Sequence, residues 1–185
     1  MELIRERSYQ QLSVGEVMQR AGLERTIFYR HFDDLGDLLM LAGREAMGRL
    51  YDAELDLSGA RDGSVQETIR AAMEPAVALY ESHGPLLRAL AEAAAGGDER
   101  IAAGHEMMHR RFDELVVDAL MEFPRFANTP PADLREIARA LNLLNTAYLL
   151  DAFGRESRIS SETALKTVTE IWTAVIAEDG SEAKG

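Results

Sequence analysis

Apolar residues recur at spacings of three and four along almost the whole chain, which is the period of an amphipathic α-helix. Runs that alternate between apolar and polar residues, which are typical of half-buried strands, are nearly absent. The pattern therefore predicts an all-α protein of about nine helices, the first of them incomplete. The predicted ranges are residues 1–8, 13–22, 25–31, 33–56, 64–84, 85–95, 98–123, 130–153 and 160–178.

Residues at the predicted helix ends support this division. Ser13 with Glu16, and Ser64 with Glu67, have the three-residue spacing of a capping box at a helix N-terminus. Gly22 ends the second helix, because glycine takes the positive φ of a tight turn at little steric cost. Segments 57–63 and 154–159 are predicted to be loops, and segment 180–185 is predicted to be a frayed tail.

Composition narrows the class of protein. The chain has 185 residues, of which 46% are hydrophobic, so one large domain or a small domain joined to a larger one is expected. It contains no cysteine, which excludes disulfides, thiol nucleophiles and cysteine metal sites. No apolar run approaches the roughly 18 residues of a membrane span, and no signal-peptide pattern opens the chain. We expect a cytoplasmic protein without a membrane partner.

The net charge is −12, but it is unevenly distributed. Residues 1–45 contain 8 acidic and 6 basic residues, whereas residues 46–185 contain 24 acidic and 14 basic residues. The acidity therefore lies mostly in the C-terminal part. The N-terminal part is still not the basic patch that is expected of a DNA-binding domain.

Residues 13–32, SVGEVMQRAGLERTIFYRHF, read as two short helices joined by a glycine turn. The major groove of B-DNA admits one α-helix, and a recognition helix needs a second helix to brace it. The spacing of four apolar residues predicts a small core behind the polar face. These residues are Val17, Leu23, Phe28 and Phe32.

The polar positions of this segment match contacts to DNA. Arg25 can pair with a guanine edge or a phosphate, and Thr26 with a thymine methyl or a phosphate. Backbone N–H groups at the start of the bracing helix can hold a phosphate. An ordinary helical hairpin with a solvated polar face is the alternative. The candidate DNA-binding residues are Ser13, Val14, Arg25, Thr26, Tyr29, Arg30 and His31.

The order GLERTIFYRHF, followed by acidic residues and LLMLA, resembles the TetR family of bacterial repressors. That family shows a Gly-apolar-Ser-x-x-x-[Leu/Phe]-Tyr-x-[His/Tyr]-Phe signature and then a helix leading to a ligand-binding domain. The resemblance implies a helix-turn-helix DNA-binding domain over residues 1–45 and a ligand-binding and dimerisation domain over residues 46–185. The matching positions are Gly22, Leu23, Phe28, Tyr29, His31, Phe32, Leu38 and Leu39.

Three features depart from the family pattern, and each lowers the DNA affinity that we expect. Glu24 replaces the usual small hydroxyl cap of the recognition helix. Leu35 stands where the family often has a phosphate-binding lysine. The chain also starts partway through the first helix, without a basic arm, which would leave apolar surface on the neighbouring helices uncovered.

The segments YESHG, ALNLLNTAYLLDAFG and TALKTVTEIWTAVI resemble the ethionamide-resistance repressor type within the TetR family. In that type the positions matching Asn142 and Asn145 face a long, mostly apolar tunnel, which implies an apolar ligand. Alternatively, both amides bond neighbouring helices or lie at a dimer seam. His105 falls near an aromatic position of that type, although a lone histidine is more often a surface or core residue. The candidate ligand-binding residues are Tyr80, Met108, Phe112, Leu115, Val116, Asn142, Asn145, Tyr148 and Trp172, with core packing as the alternative for Trp172.

The resemblance implies a ligand-responsive repressor that binds a palindromic double-stranded DNA operator as a homodimer and is released by a small hydrophobic effector. The expected dimer seam runs from Asp133 to Phe153 and from Ser160 to Glu178. The alternative is an all-α protein that binds an apolar ligand and has weak or lost DNA binding. Residues 105–109, HEMMH, have the zincin spacing, but a metalloprotease needs a third ligand and a substrate cleft. We therefore expect no enzymatic activity, metal or cofactor.

Overall fold

The computed structural model describes residues 2–51 and 64–177. In these residues it contains eight α-helices, two short 3-10 helices at Tyr9–Gln11 and Pro124–Phe126, and no β-strand, which confirms the all-α fold class. The predicted end of the fourth helix, the 57–63 loop and the 180–185 tail lie outside the described residues. The α-helices are α1 (Glu2–Glu6), α2 (Val14–Ala21), α3 (Arg25–Phe28), α4 (Leu35–Tyr51), α5 (Val65–Ala95), α6 (Glu99–Met121), α7 (Pro131–Phe153) and α8 (Ser161–Ile176).

Helix α5 corrects the predicted count, because segments 64–84 and 85–95 form one continuous helix. Glycine and proline usually mark a helix end, yet both Gly84 and Pro85 are buried inside α5. A proline ring inside a helix clashes with the carbonyl four residues earlier and with the preceding residue, and Gly84 removes the part of this clash that a Cβ would cause. The carbonyl of Glu81, which loses its usual N–H partner to Pro85, belongs to an exposed residue. The helix can therefore continue.

The local signals around α2 act as predicted. The Ser13 hydroxyl accepts a hydrogen bond from the Glu16 backbone N–H, and the Glu16 carboxylate accepts one from the Ser13 backbone N–H. Gly22 ends the helix at φ 69° and ψ 26°, in the left-handed region that favours glycine. The turn between α2 and α3 therefore follows from local sequence alone.

Helix α3 is shorter than the predicted 25–31, because it ends at Phe28. Beyond it the backbone closes tighter turns, in which the N–H of Arg30 bonds the Ile27 carbonyl at 3.3 Å and that of His31 bonds the Phe28 carbonyl at 2.9 Å. Its N-cap, Glu24, forms no side-chain capping bond. The chain still keeps Arg25 and Tyr29 one turn apart on the same side.

Helix α5 is the centre of the body and packs against α4, α6, α7 and α8. The main core lies between α5, α6, α7 and α8, and each helix contributes its apolar stripe to it. The most deeply buried large side chains are Ile69, Leu120, Leu134, Leu149, Phe153, Val168, Trp172 and Ile176.

Arg88 on α5 joins the N-terminal segment to the body. Its guanidinium donates to the Gly154 carbonyl at 2.7 Å, to the carbonyl of Ile4 in α1 and to the Glu92 carboxylate. Glu92 also accepts the backbone N–H of Tyr9 at 3.0 Å. One largely buried cation therefore holds α1, α5 and the end of α7 together.

Candidate functional sites

The predicted recognition face is an exposed polar surface on and just after α3. Arg25, Thr26, Tyr29, Arg30 and His31 are all exposed, and 54% of Tyr29 is accessible. The Arg25 guanidinium donates to the Tyr29 hydroxyl at 3.5 Å, the outer limit of a hydrogen bond. Both side chains therefore stand together and remain available for a partner.

Two carboxylates border this surface. Glu24 accepts a hydrogen bond from the Thr26 hydroxyl at 3.4 Å. Glu16 lies at the N-terminus of α2, where it bonds Ser13 and pairs with Arg7 at 2.9 Å. Hydrogen bonds from Ser13 and Arg7 hold the pKa of the Glu16 carboxyl below its ordinary value. The capping box thus occupies the predicted phosphate site at Ser13 and Val14, and a phosphate there must compete with a carboxylate.

Arg100 supplies positive charge to the N-terminal segment from the start of α6. It pairs with Asp34 and with Asp37, each at 2.7 Å, and with Asp98 at 3.3 Å. These exposed pairs add little stability. The single positive charge of Arg100, shared with Asp98, offsets at most one of the two acidic charges at Asp34 and Asp37, an effect that the charge count of residues 1–45 omits.

The small core behind the recognition face differs from the predicted one. Phe28 is buried, and its ring lies 5.3 Å from that of Phe32, as their spacing predicts. Leu23, however, is 50% exposed, whereas Met18, which was not among the predicted core residues, is buried at 6% exposure. Leu23 follows the left-handed Gly22, which turns the chain outward before α3 begins.

An apolar groove of about 600 Å³ lies between α1, the first 3-10 helix, α2 and α4. Leu35 lines it and is partly buried. At this position the chain therefore offers a groove wall and not a phosphate contact. The other apolar residues lining the groove are Leu3, Ile4, Tyr9, Leu12, Val17, Ala21, Leu38, Leu39, Ala42 and Leu86.

A second cavity, of about 110 Å³, lies inside the body between α4, α5, α6 and α7. Most of its wall is apolar and includes Met47 of α4 and Leu87 of α5. Five of the predicted ligand-binding residues line it, namely Tyr80, Met108, Phe112, Asn142 and Asn145.

The other four predicted ligand-binding residues do not line this cavity. Val116 is 3% exposed and belongs to the main core, and Tyr148 packs against that core. Leu115, on the same helix as Val116, is partly exposed. Trp172 is completely buried behind the wall, where its indole N–H donates to Oδ1 of Asn145 at 3.1 Å. Core packing, the alternative for Trp172, therefore describes its position.

The two asparagines have different surroundings. Asn145 accepts from Trp172 and lies 3.7 Å from the sulfur of Met73, so it faces the core as well as the cavity. Asn142 donates to Asp113 at 2.7 Å, and Arg139 binds the same carboxylate at 3.1 Å. Asn142 is thus held from the α6 side, and both amides bond neighbouring helices.

His105 and His109 also line the cavity, although sequence reasoning ranked His105 low and gave His109 no ligand role. Their rings lie 4.4 Å apart between centroids, at 71° to each other. Burial lowers the pKa of both imidazoles, and that of His109 is lowered further by His105. Within the described residues, no third acidic or histidine side chain completes a metal-binding group with them. The signal that could have found the pair is its i,i+4 spacing along the stripe that also carries Phe112.

Residues 1–39 match the family model of bacterial regulatory proteins of the tetR family. The matched range includes α2, the Gly22 turn, α3 and the first residues of α4. This match supports membership of the tetR family and a DNA-binding transcriptional regulator. No match was found among curated proteins. None of the described helices is long and apolar enough to cross a membrane.

Proposed function

We propose that the chain is a transcriptional repressor that binds a palindromic operator as a homodimer and is released by a small, mostly apolar effector. The observation that carries this proposal is the α2–turn–α3 unit, which exposes Arg25 and Tyr29 on one side within the range that matches the tetR family model. The internal cavity supports the effector, and an apolar surface on α7 supports the dimer.

Helix α4 offers a route from the cavity to the recognition helices. Near its start, Leu39 packs against Leu86 of α5 and Ile101 of α6. Near its end, Met47 lines the cavity. Leu90 also lines the cavity and crowds Gly43 in the middle of α4, where an added Cβ would lie 2.6 Å from a Leu90 methyl. An effector that displaces Met47 or Leu90 moves α4, provided that it binds one arrangement better than the other.

Because the proposal places Arg25 against a DNA base, Arg25→Ala should cause a large loss of sequence-specific DNA binding. A bidentate arginine–base pair contributes about 1–3 kcal/mol, so operator affinity should fall roughly 5- to 150-fold. Selection from random duplex DNA should first yield a palindrome whose half-sites lie roughly 34–36 Å apart. Fluorescence anisotropy on that duplex then measures the loss. Arg135→Ala, which removes the same charge from an exposed position near the start of α7, is the control and should bind as the wild type does.

The same experiment tests the alternative function, an all-α protein that binds an apolar ligand and has lost DNA binding. Glu24 on the recognition face and Glu16 at the start of α2 favour this alternative, because both repel phosphates. If selection enriches no sequence and Arg25→Ala binds DNA as weakly as Arg135→Ala does, the repressor proposal fails and the alternative stands.

The dimer proposal rests on an exposed apolar stripe along α7. Leu143 and Leu144 are 45% and 39% exposed, and Ala140 and Ala147 lie exposed beside them. Leu144→Glu should weaken dimerisation at least 100-fold. In a two-fold symmetric dimer, each protomer would bury one unpaired carboxylate in the interface, at a cost of several kcal/mol each. Sedimentation velocity measures the dissociation constant. Met107→Glu, an equivalent change at a 64% exposed position on α6, should leave the dimer intact. If both variants raise the dissociation constant equally, the proposal that α7 forms the dimer interface fails.

A further inference from the structure

The histidine pair in the cavity has hydrogen-bonding capacity that the protein leaves unused. His109 is only 4% exposed and lines the cavity beside His105. Within the described residues, no hydrogen bond joins either imidazole to another protein group, and neither ring is among the fully buried polar groups that lack a partner. Their nitrogens therefore keep accessible surface while both side chains line a mostly apolar cavity, where polar groups of this kind orient a ligand.

The charged groups around the pair come from two helices. On α6, Glu106 and Asp113 lie near the imidazoles, and on α7 Arg139 binds both carboxylates at 3.1 Å. Arg139 and Asp113 are the less exposed of the three, whereas half of the Glu106 side chain is accessible and its charge is screened by solvent. The surroundings close to the cavity are therefore nearly neutral.

Among the described residues that line the cavity, those of α4 and α5 carry no charge near pH 7. Helix α5 contributes Tyr80, whose pKa is raised by burial and whose hydroxyl is hydrogen-bonded to Thr146. Helix α4 contributes the apolar Met47. With their pKa values lowered by burial, both imidazoles are neutral near pH 7, and each then offers one N–H donor and one nitrogen acceptor.

We propose that His105 and His109 together anchor the carboxyl group of a small apolar acid, which binds with one proton. A protonated carboxyl group has one donor and one acceptor, so it can donate to one imidazole and accept from the other. The acid and its proton bring no net charge into the buried site, whereas an ammonium ion would. This inference rests on the proposed function, because it gives the chemical class of the effector.

The cavity size limits the acid. With a volume of about 110 Å³, the cavity favours a small ligand. Its wall beyond the histidines is mainly apolar, with Met108, Leu149 and Leu150 among the lining residues. A short straight-chain carboxylic acid matches both the volume and this wall.

Isothermal titration calorimetry on the full chain tests the proposal with butyrate, hexanoate and octanoate and with the matched primary alcohols and amines. Acid affinity should fall about tenfold per pH unit between pH 7 and pH 8, since one proton is bound with each ligand. Titration in two buffers of different ionisation enthalpy should give an uptake of one proton. Alcohols and amines should bind more weakly and without this pH dependence. Tighter binding of the amine or the alcohol at pH 6, or the absence of proton uptake, would overturn the proposal.

Substitutions of His105 and His109 test whether the pH-dependent acid binding requires these two side chains. His109→Gln and His105→Gln should each reduce acid affinity at least tenfold at pH 6 and weaken its pH dependence. His83→Gln should leave it unchanged, because His83 bonds Ser82 at 2.8 Å and lies outside the cavity wall. If His109→Gln does not fold, the more accessible His105→Gln carries the test. An unchanged acid affinity in a folded His105→Gln variant would overturn the proposal, and so would zinc retained by the purified protein at one ion per chain.

Failure of this inference can be told apart from failure of the proposed function. Sequence-specific DNA binding that is released by a neutral compound, with no response to acids, would support the repressor proposal and contradict the proposal of an acid effector. Acid binding with proton uptake in a protein that selects no DNA sequence would support the histidine site and contradict the repressor proposal.

Discussion

Replacing Trp172 by alanine is expected to lower the free energy of unfolding by about 3–5 kcal/mol, the range for truncating a fully buried aromatic side chain. Trp172 has no accessible surface and packs in the main core with Phe153 and Ile176. Its indole N–H also donates to Asn145 at 3.1 Å, so alanine removes both packing and a hydrogen bond. Chemical denaturation followed by far-UV circular dichroism measures the loss, since the variant contains no tryptophan to report by fluorescence.

Two further variants separate packing from the hydrogen bond. Trp172→Phe keeps most of the aromatic volume and should lose clearly less stability than the alanine variant. Asn145→Leu keeps the indole but leaves its buried N–H without an acceptor, which costs about 1–3 kcal/mol. The double variant Trp172→Phe with Asn145→Leu removes both partners, so its loss should be smaller than the sum of the two single losses. Equal losses for the phenylalanine and alanine variants would contradict this account of the site.

The boundaries that sequence predicted well depend on residues that are close in the chain. Ser13 and Glu16 form their capping box, and Ser160 caps α8 by accepting the backbone N–H of Thr163. Gly22 takes the left-handed conformation that its position implies. In each case the hydrogen bond or dihedral angle involves residues close in the chain, so the local sequence is enough to predict it.

The predictions that failed depend on contacts between helices. A glycine followed by proline marks a helix end by local rules, yet α5 continues through Gly84 and Pro85. The close approach of the Phe153 backbone, which leaves no room for a Cβ at position 84, is a contact between helices that local rules do not contain. Periodicity shows that α6 has an apolar stripe, but not which of its residues face the cavity. Val116 faces the main core, whereas His109, one polar residue on the same stripe, faces the cavity.

Trp172 illustrates the same limit at the candidate site. Sequence resemblance placed Trp172 on a wall position of the ethionamide-resistance repressor type, whereas in the structure Trp172 bonds the wall residue Asn145 and does not itself line the cavity. Which residue of such a pair lines the cavity depends on the tilt of α8 against α7. That tilt is a property of packed helices, and the sequence of either helix alone does not contain it.

Gly84→Ala is expected to lower the free energy of unfolding by about 2 kcal/mol or more, although alanine favours a helix over glycine by about 1 kcal/mol. A Cβ added at Gly84 would lie 2.6 Å from the carbonyl carbon of Phe153 and closer still to its oxygen. Backbone atoms cannot rotate away as a side chain can, so α5 and α7 must separate. The loss should appear as a fall of roughly 4–8 °C in the melting temperature of a chain of this size.

Gly104→Ala is the matched control, because it makes the same change inside α6 where no atom lies within 4 Å of the added Cβ. It should stabilise the protein by about 0.5–1 kcal/mol, since alanine loses less backbone entropy than glycine in a helix. Opposite signs in the two variants would show that close approach of helices, and not helix propensity, determines the residue at position 84. If both variants are stabilised, α5 and α7 lie farther apart than described, and the approach of α7 does not determine the residue at position 84.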